Sequence, residues 1–392
     1  MTAVRPAASA QGAGILVAMF VAAATLRPQL VGIGPLLPEI RADIGMSHAA
    51  AGLLSSLPIL CMAVFALPAA ALARRLGTGP AVAACMATIA VAGAVRAGAG
   101  TEALLIALCV PLGAAMGVAG ALLPAMTKER FPARPAFATG VYSTGMQVGA
   151  AAAAGAAVPL AAILGGWRGT LLAFSAVAVA GLAVWALTGG LRPAATAAPA
   201  RVRLPLRRPR AWTLGVLFGL QSMVFWGLNA WLAEAYLEHG WTAGAAGLLV
   251  TAVNLIGIPA SLAVPWFADR LGSRRGYLAG GAGIMLVGLV GLTIAPAGAW
   301  GWIVLVGVGG GVALSLALTL PLDMAPTAAE VGAWAGLMLC VGYLLASVVP
   351  VLLGAARDLT GSFAASLWTL VGLCAVLLAL AWVVAPAGSV TR

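Results

Sequence analysis

Apolar residues in this chain come in long blocks, with polar residues confined to the gaps between them. Twelve blocks are long enough to cross a bilayer, at roughly 12–36, 49–72, 80–99, 102–126, 136–162, 168–190, 211–236, 243–267, 277–295, 299–322, 331–355 and 363–386. A spanning helix needs about 20 apolar residues. Unpaired backbone is too costly in lipid, so each block predicts a helix. The one long polar stretch, 191–210, carries six arginines (Arg192, Arg201, Arg203, Arg207, Arg208 and Arg210) and divides the spans six from six. The expected architecture is an all-α membrane protein. A six-helix bundle over 1–190 and another over 211–392 are joined by the basic linker 191–210.

Composition rules out the soluble alternatives. The chain is 62% hydrophobic and 8% charged, against about 45–50% and about 25% in soluble domains. A net charge of +11 on a soluble protein would suggest nucleic acid. Here the cations sit between spans, where they report topology, and no nucleic-acid partner is expected. With both termini cytoplasmic, 16 cations fall on the cytoplasmic side. Four (Arg41, Arg96, Arg168 and Arg357) fall outside, and Arg27 belongs to neither set. The expected location is the inner membrane, multi-pass, with residues 1–11 as a cytoplasmic tail and no cleavable leader. The cysteines Cys61, Cys85, Cys109, Cys340 and Cys374 all lie in apolar blocks and read as small buried hydrophobes. No metal or cofactor spacing is visible. His48 and His239 fall in outer loops and read as solvated, and the carboxylates sit at helix ends, so no enzyme site is expected.

The two halves echo each other. Ala73-Arg74-Arg75-Leu76-Gly77 follows the second span, and Ala268-Asp269-Arg270-Leu271-Gly272 follows the eighth, 195 residues later. Leu123-Pro124 pairs with Leu320-Pro321, and Gly140 with Gly336, at offsets of 197 and 196. A near-constant offset marks an internal duplication. Two parallel halves of this kind make the layout of a major facilitator transporter. The two loop motifs resemble that superfamily's signature, with Arg74 standing where an acidic residue is usual.

A narrower resemblance is to the cyanate permease family, which includes cyanate and nitroimidazole transporters. Thr25-Leu26-Arg27-Pro28 and Gly34-Pro35-Leu36-Leu37-Pro38-Glu39-Ile40-Arg41 are similar to its first-helix signature. Leu122-Leu123-Pro124 through Lys128-Glu129-Arg130-Phe131-Pro132, Gly219-Leu220-Gln221-Ser222, Trp231-Leu232, Gly342-Tyr343-Leu344-Leu345-Ala346 and Asp358-Leu359-Thr360-Gly361 match further along. The resemblance implies that Gln221 and Tyr343 line a substrate cavity.

Arg27 is the sharpest chemical signal. It lies about 15 residues into the first span, some 22 Å along at about 1.5 Å per residue. No acidic residue lies within a turn, and the nearest, Glu39, is twelve positions away. An arginine there costs several kcal/mol, so it is expected to face water or meet an anion, which its planar fork suits. The competing reading has it bonding carbonyls freed around Pro28. In span 7, Phe218, Gln221, Ser222, Phe225, Trp226 and Asn229 share a face and read as a cavity wall, or as interhelical glue. Tyr142 and Gln147 of span 5 and Asn254 of span 8 complete the expected substrate site. Asp269, with Arg270, Arg274 and Arg275, reads as a cytoplasmic gate lock, against a plain topology signal. Glu234 is the best-placed carboxylate for proton coupling, against an interface charge. Gly113, Gly117 and Gly120 of span 4, and Gly307 to Gly311 of span 10, read as close helix contacts rather than a phosphate loop.

The expected function is transport of a small anion, organic or cyanate-like, across the inner membrane by alternating access, with Arg27 binding it. Proton coupling stays open, and a monomer is expected to suffice. Two rivals stay open as well: efflux of a drug-like compound such as a nitroimidazole, and a membrane receptor that binds without transporting.

Overall fold

The computed structural model describes residues 6–131, 135–191, 204–271, 274–325 and 330–384. Among the described residues every regular element is helical, and twelve helices are long and apolar enough to cross a membrane. In order they are Gly12–Ile44, His48–Phe65, Thr78–Ala97, Glu102–Leu123, Val141–Leu164, Trp167–Leu187, Pro209–Glu238, Ala243–Ser261, Arg274–Ile294, Pro296–Pro321, Ala333–Thr360 and Ala364–Val383. These are spans 1 to 12 below. The twelve expected blocks are therefore twelve spans. Large apolar side chains such as Ile163, Leu187 and Val383 stay exposed on their outer faces, as a lipid-facing surface requires.

Two boundaries differ from the pattern in the sequence. Span 2 ends at Phe65, and a separate helix, Ala69–Leu76, carries Arg74 and Arg75. Span 1 runs on to Ile44 and is broken within. Its first helix, Pro6–Thr25, stops before Arg27, a short helix resumes at Pro28–Val31, and a 3-10 turn at Gly34–Leu36 leads into Leu37–Ile44. Pro28 supplies the break: its ring clashes with the preceding turn, and it has no N–H to continue the ladder. Local donors absorb some of the freed carbonyls. Thr25 Oγ1 donates to Ala22 O at 2.8 Å, and Arg96 Nη1 donates to Gln29 O at 3.1 Å.

Arg96 therefore corrects one expectation. It is not an outer-loop cation but is fully buried at 0% exposure, spent on the broken backbone of span 1 and near Cys109 Sγ at 3.5 Å. Gln29 anchors the same segment to span 6, donating to Leu171 O at 3.1 Å and to Ser175 Oγ at 3.0 Å.

Spans 1–6 and spans 7–12 pack mostly among themselves, and the two sets meet through span 2 against 11, 5 against 8 and 1 against 7. Glycines allow the closest approaches. A Cβ on Gly34 would stand 2.1 Å from Asn229 O of span 7, and one on Gly354 would stand 2.4 Å from His48 O of span 2. Gly113 and Gly117 of span 4 meet the backbone of Pro58 and Met62 in the same way, and Gly307 and Gly311 of span 10 meet Ile256 and Gly257. Gly120 has open space around it.

Candidate substrate site and the closure between the halves

Because the backbone breaks just before Pro28, Arg27 projects where spans 1 and 7 meet. Its guanidinium carbon lies 5.1 Å from the centre of the Trp226 ring, a cation–π contact between the two halves. Among the described residues it makes no hydrogen bond or ion pair, and the residue is half-buried. A cation–π contact contributes about 0.5–2 kcal/mol and consumes none of the five guanidinium N–H donors. The donors stay available for an acceptor that no described residue supplies.

Next to Trp226, and T-stacked on it at 5.2 Å, Phe225 lines a small cavity of about 40 Å³. Gln147, Gln221 and Asn254 give that cavity its amides, and Val224, Met285 and the glycines Gly307, Gly310 and Gly311 give it apolar walls. Asn229 and Asn254 bond to each other at 2.9 Å, and each also donates to the carbonyl four residues before it, Phe225 O and Val250 O. That pair ties span 7 to span 8, which is the glue reading for Asn229. Two turns along the same face of span 7, Phe218 stacks on Tyr343 of span 11 at 5.6 Å, and Tyr343 lies near Tyr142 of span 5, which bonds Ser143.

The expected residues thus fall into three neighbouring groups. Arg27 stands over Trp226. Gln147, Gln221, Phe225 and Asn254 line the cavity. Tyr142 and Tyr343 approach each other between spans 5 and 11. Asp269 and Arg270, half of the expected cytoplasmic lock, lie outside the residues whose side chains are described. Arg274 donates to Thr319 Oγ1 at 3.0 Å within its own half, and Arg275 is half-buried.

A second cluster was not visible in the sequence as a cluster. At the end of the molecule where span 1 stops and span 2 starts, Arg41 pairs with Glu234 of span 7. His48 is not a solvated loop residue: it opens span 2, its side chain is 12% exposed, and it touches both Glu234 and Asp358. Asp358 of span 11 also accepts the backbone N–H groups of His48 and Ala49, at 3.2 and 2.8 Å. A carboxylate from one half thereby caps a helix N-terminus of the other, where unpaired N–H groups and the helix dipole favour an anion. Val351 N donates to Ser56 Oγ at 3.3 Å about two turns further in. These bonds all cross between the halves at this one end. A hint lay in the register: Glu234 stands 195 residues after Glu39, the offset of the loop motifs.

The sequence pattern of the Major Facilitator Superfamily matches residues 13–347. The chain belongs to that superfamily. An uncharacterized transporter, YycB, of Bacillus subtilis is 30% identical over 342 residues, which is 86% of this chain and 85% of that one. The 2-nitroimidazole transporter of Escherichia coli is 33% identical over 358 residues, 90% of each chain. The cyanate transport protein CynX of the same organism is 31% identical over 356 residues, 90% of this chain and 91% of that one. Among solved structures, a bacterial homologue of the human lysosomal transporter Spinster superimposes with a TM-score of 0.79 at 16% identity, covering 94% of this chain and 96% of that one. The D-xylose–proton symporter superimposes at 0.78 and 13% identity, covering 95% and 98%. This major facilitator protein is thus a multi-pass membrane transporter of small solutes, with transporters rather than enzymes as its relatives. The expected resemblance to the cyanate and nitroimidazole transporters is borne out.

Proposed function

We propose that this transporter carries a small anion, organic or cyanate-like, and that Arg27 is the group that binds it. The observation that carries the reading is the Arg27 guanidinium, held over Trp226 between the two halves with no acidic partner among the described residues. A cation held in an apolar bundle gains most from a ligand that supplies the missing charge, and charge-assisted bonds are about twice as strong as neutral ones. The amides of Gln147, Gln221 and Asn254 and the ring of Phe225 would hold the rest of the solute, with Tyr142 and Tyr343 beside it. In this reading the bundles 1–190 and 211–392 rock about the site, the linker 191–210 and both termini are cytoplasmic, and one chain suffices. Asp269, Arg270, Arg274 and Arg275 would lock the cytoplasmic end when it closes.

A second reading has a specific observation in its favour. The cavity is lined by Phe225, on which Trp226 stacks, and is supplied with amides, which also suits a neutral, flat nitro-heterocycle held by ring stacking and amide bonds rather than by Arg27. One experiment separates the two. Purified protein and its Arg27→Ala variant are screened by thermal shift against cyanate, small carboxylates and 2-nitroimidazole, and hits are followed by counterflow in proteoliposomes. Stabilisation of wild type alone by an anion supports the first reading. A nitroimidazole that stabilises both proteins equally favours the second. Binding without exchange of labelled solute would make the protein a receptor and sink both. Adding a protonophore during counterflow tests proton coupling.

A further inference from the structure

The cluster at the closed end has a feature that an ordinary salt bridge lacks. Both ring nitrogens of His48 face carboxylate oxygens: Nδ1 lies 2.6 Å from Asp358 Oδ1, and Nε2 lies 3.2 Å from Glu234 Oε1. A carboxylate only accepts hydrogen bonds, so each nitrogen must carry a proton to make its contact. The ring that makes both contacts is imidazolium. With that proton the cluster holds two cations, Arg41 and His48, against two carboxylates, Glu234 and Asp358. Without it, one negative charge is left uncompensated where the Glu234 side chain is 9% exposed, a costly arrangement for a half-dry site.

Removing the proton also changes which partner Nδ1 takes. Arg41 Nη2 lies 3.0 Å from the same nitrogen. A neutral ring with its hydrogen on Nε2 accepts from Arg41 at Nδ1 and no longer donates to Asp358. Arg41 and His48 belong to spans 1 and 2, whereas Asp358 belongs to span 11. The proton therefore decides whether His48 holds two carboxylates of the other half or Glu234 alone, with Nδ1 turned to Arg41 of its own half. When the halves part, His48 keeps the cationic Arg41 beside it and loses both carboxylates, so the open state releases the proton.

The rest of the surroundings leaves this balance intact. Trp231 and Phe363 pack against the ring, with centroids at 5.9 and 5.7 Å, and against each other at 5.4 Å. Of the nearby charges, Arg357 pairs with Glu238 in its own half, Asp43 pairs with Arg168, and Glu39 accepts from Trp167 N. None of these competes for His48.

We propose that Arg41, His48, Glu234 and Asp358 together form a proton-binding site that spans the two halves. A proton on His48 holds this end shut, and its release lets the end open. The proposal goes beyond the substrate reading, and it is tested with no solute present, so it fails or stands apart from Arg27. Nitroxide labels at the exposed positions Ala42 and Leu359, introduced as Ala42→Cys and Leu359→Cys with Cys340→Ser, report the separation by electron–electron resonance in nanodiscs. The short distance is expected to dominate in acid. The ratio of closed to open should fall as the pH rises, by at most about tenfold per pH unit, as one linked proton allows. His48→Gln should remove that step, and His48→Lys, a permanent cation, should hold the end closed throughout. Asp358→Asn deletes the charged acceptor and should move the step to lower pH. A wild-type step that survives His48→Gln, opening that grows toward acid, or an Asp358→Asn midpoint equal to wild type would each overturn the proposal.

Discussion

Spans 1 and 7 occupy equivalent places in the two halves, yet one is broken and the other is a continuous helix, Pro209–Glu238. At the offset of 195, Arg27-Pro28 of span 1 stands opposite Ser222-Met223 of span 7. Pro28 removes a backbone donor, and the chain needs Arg96, Gln29 and Thr25 to absorb the break. Span 7 has no such cost, and its Ser222 side chain donates to its neighbour Gln221, at 3.4 Å. The carboxylates at the ends of the two spans diverge as well. In span 1, Glu39 and Asp43 both turn to their own half, to Trp167 and Arg168. In span 7, Glu238 alone serves its own half, accepting from Phe363 N at 3.0 Å and from Arg357. That leaves Glu234 free to reach across to Arg41 and His48. The comparison teaches that duplication placed matching groups at matching depths, and that small changes then gave one half the bound cation and the other the anion of the closure.

The comparison can be broken most sharply at Arg27. Charged hydrogen bonds contribute about 1.5–3 kcal/mol, so Arg27→Ala should weaken solute binding on the order of 10- to 100-fold in titration calorimetry, whereas Ser222→Ala should leave it within about twofold. Gly34→Ala comes next. Its added methyl would press on Asn229 O of span 7, so the closed end should be lost from most molecules, read as a longer label separation. Pro28→Ala makes span 1 more like span 7. Pro28 opens the short helix Pro28–Val31, where proline is tolerated, so the variant should change little in melting temperature while transporting more slowly, because a straightened helix moves Arg27 off Trp226. The carboxylates sharpen the contrast further. Glu234→Gln should open the end between the halves. Glu39→Gln should leave it closed and cost only about 0.5–1.5 kcal/mol of stability, the worth of one ordinary hydrogen bond.

Reading the chain as a string reached a long way. The twelve spans, the place of Arg27, the kink at Pro28 and the polar face of span 7 all follow from local rules: block length, a proline in a helix, and the repeat of side chains every three or four residues. Gln147, Gln221, Phe225 and Asn254 were expected together and do line one cavity. His48 and Arg96 were misjudged for a common reason. Each lies near a span end, where position alone suggests water, and each is buried by a segment distant in the chain. Arg96 meets Gln29, 67 positions away, and His48 meets Asp358, 310 positions away.

What the sequence by itself determined is whatever a lipid solvent and the periodicity of a helix dictate one segment at a time: an all-helical, twelve-span, duplicated transporter with a cation in its first span. The tertiary structure alone decided which charges meet. It turned Asp358 and Glu234 onto His48 and Arg41, spent Arg96 on a broken backbone, and left Arg27 with an aromatic face and no acid among the described residues. Pairing between groups hundreds of residues apart depends on how helices from two halves are aligned and rotated. No local rule carries that information.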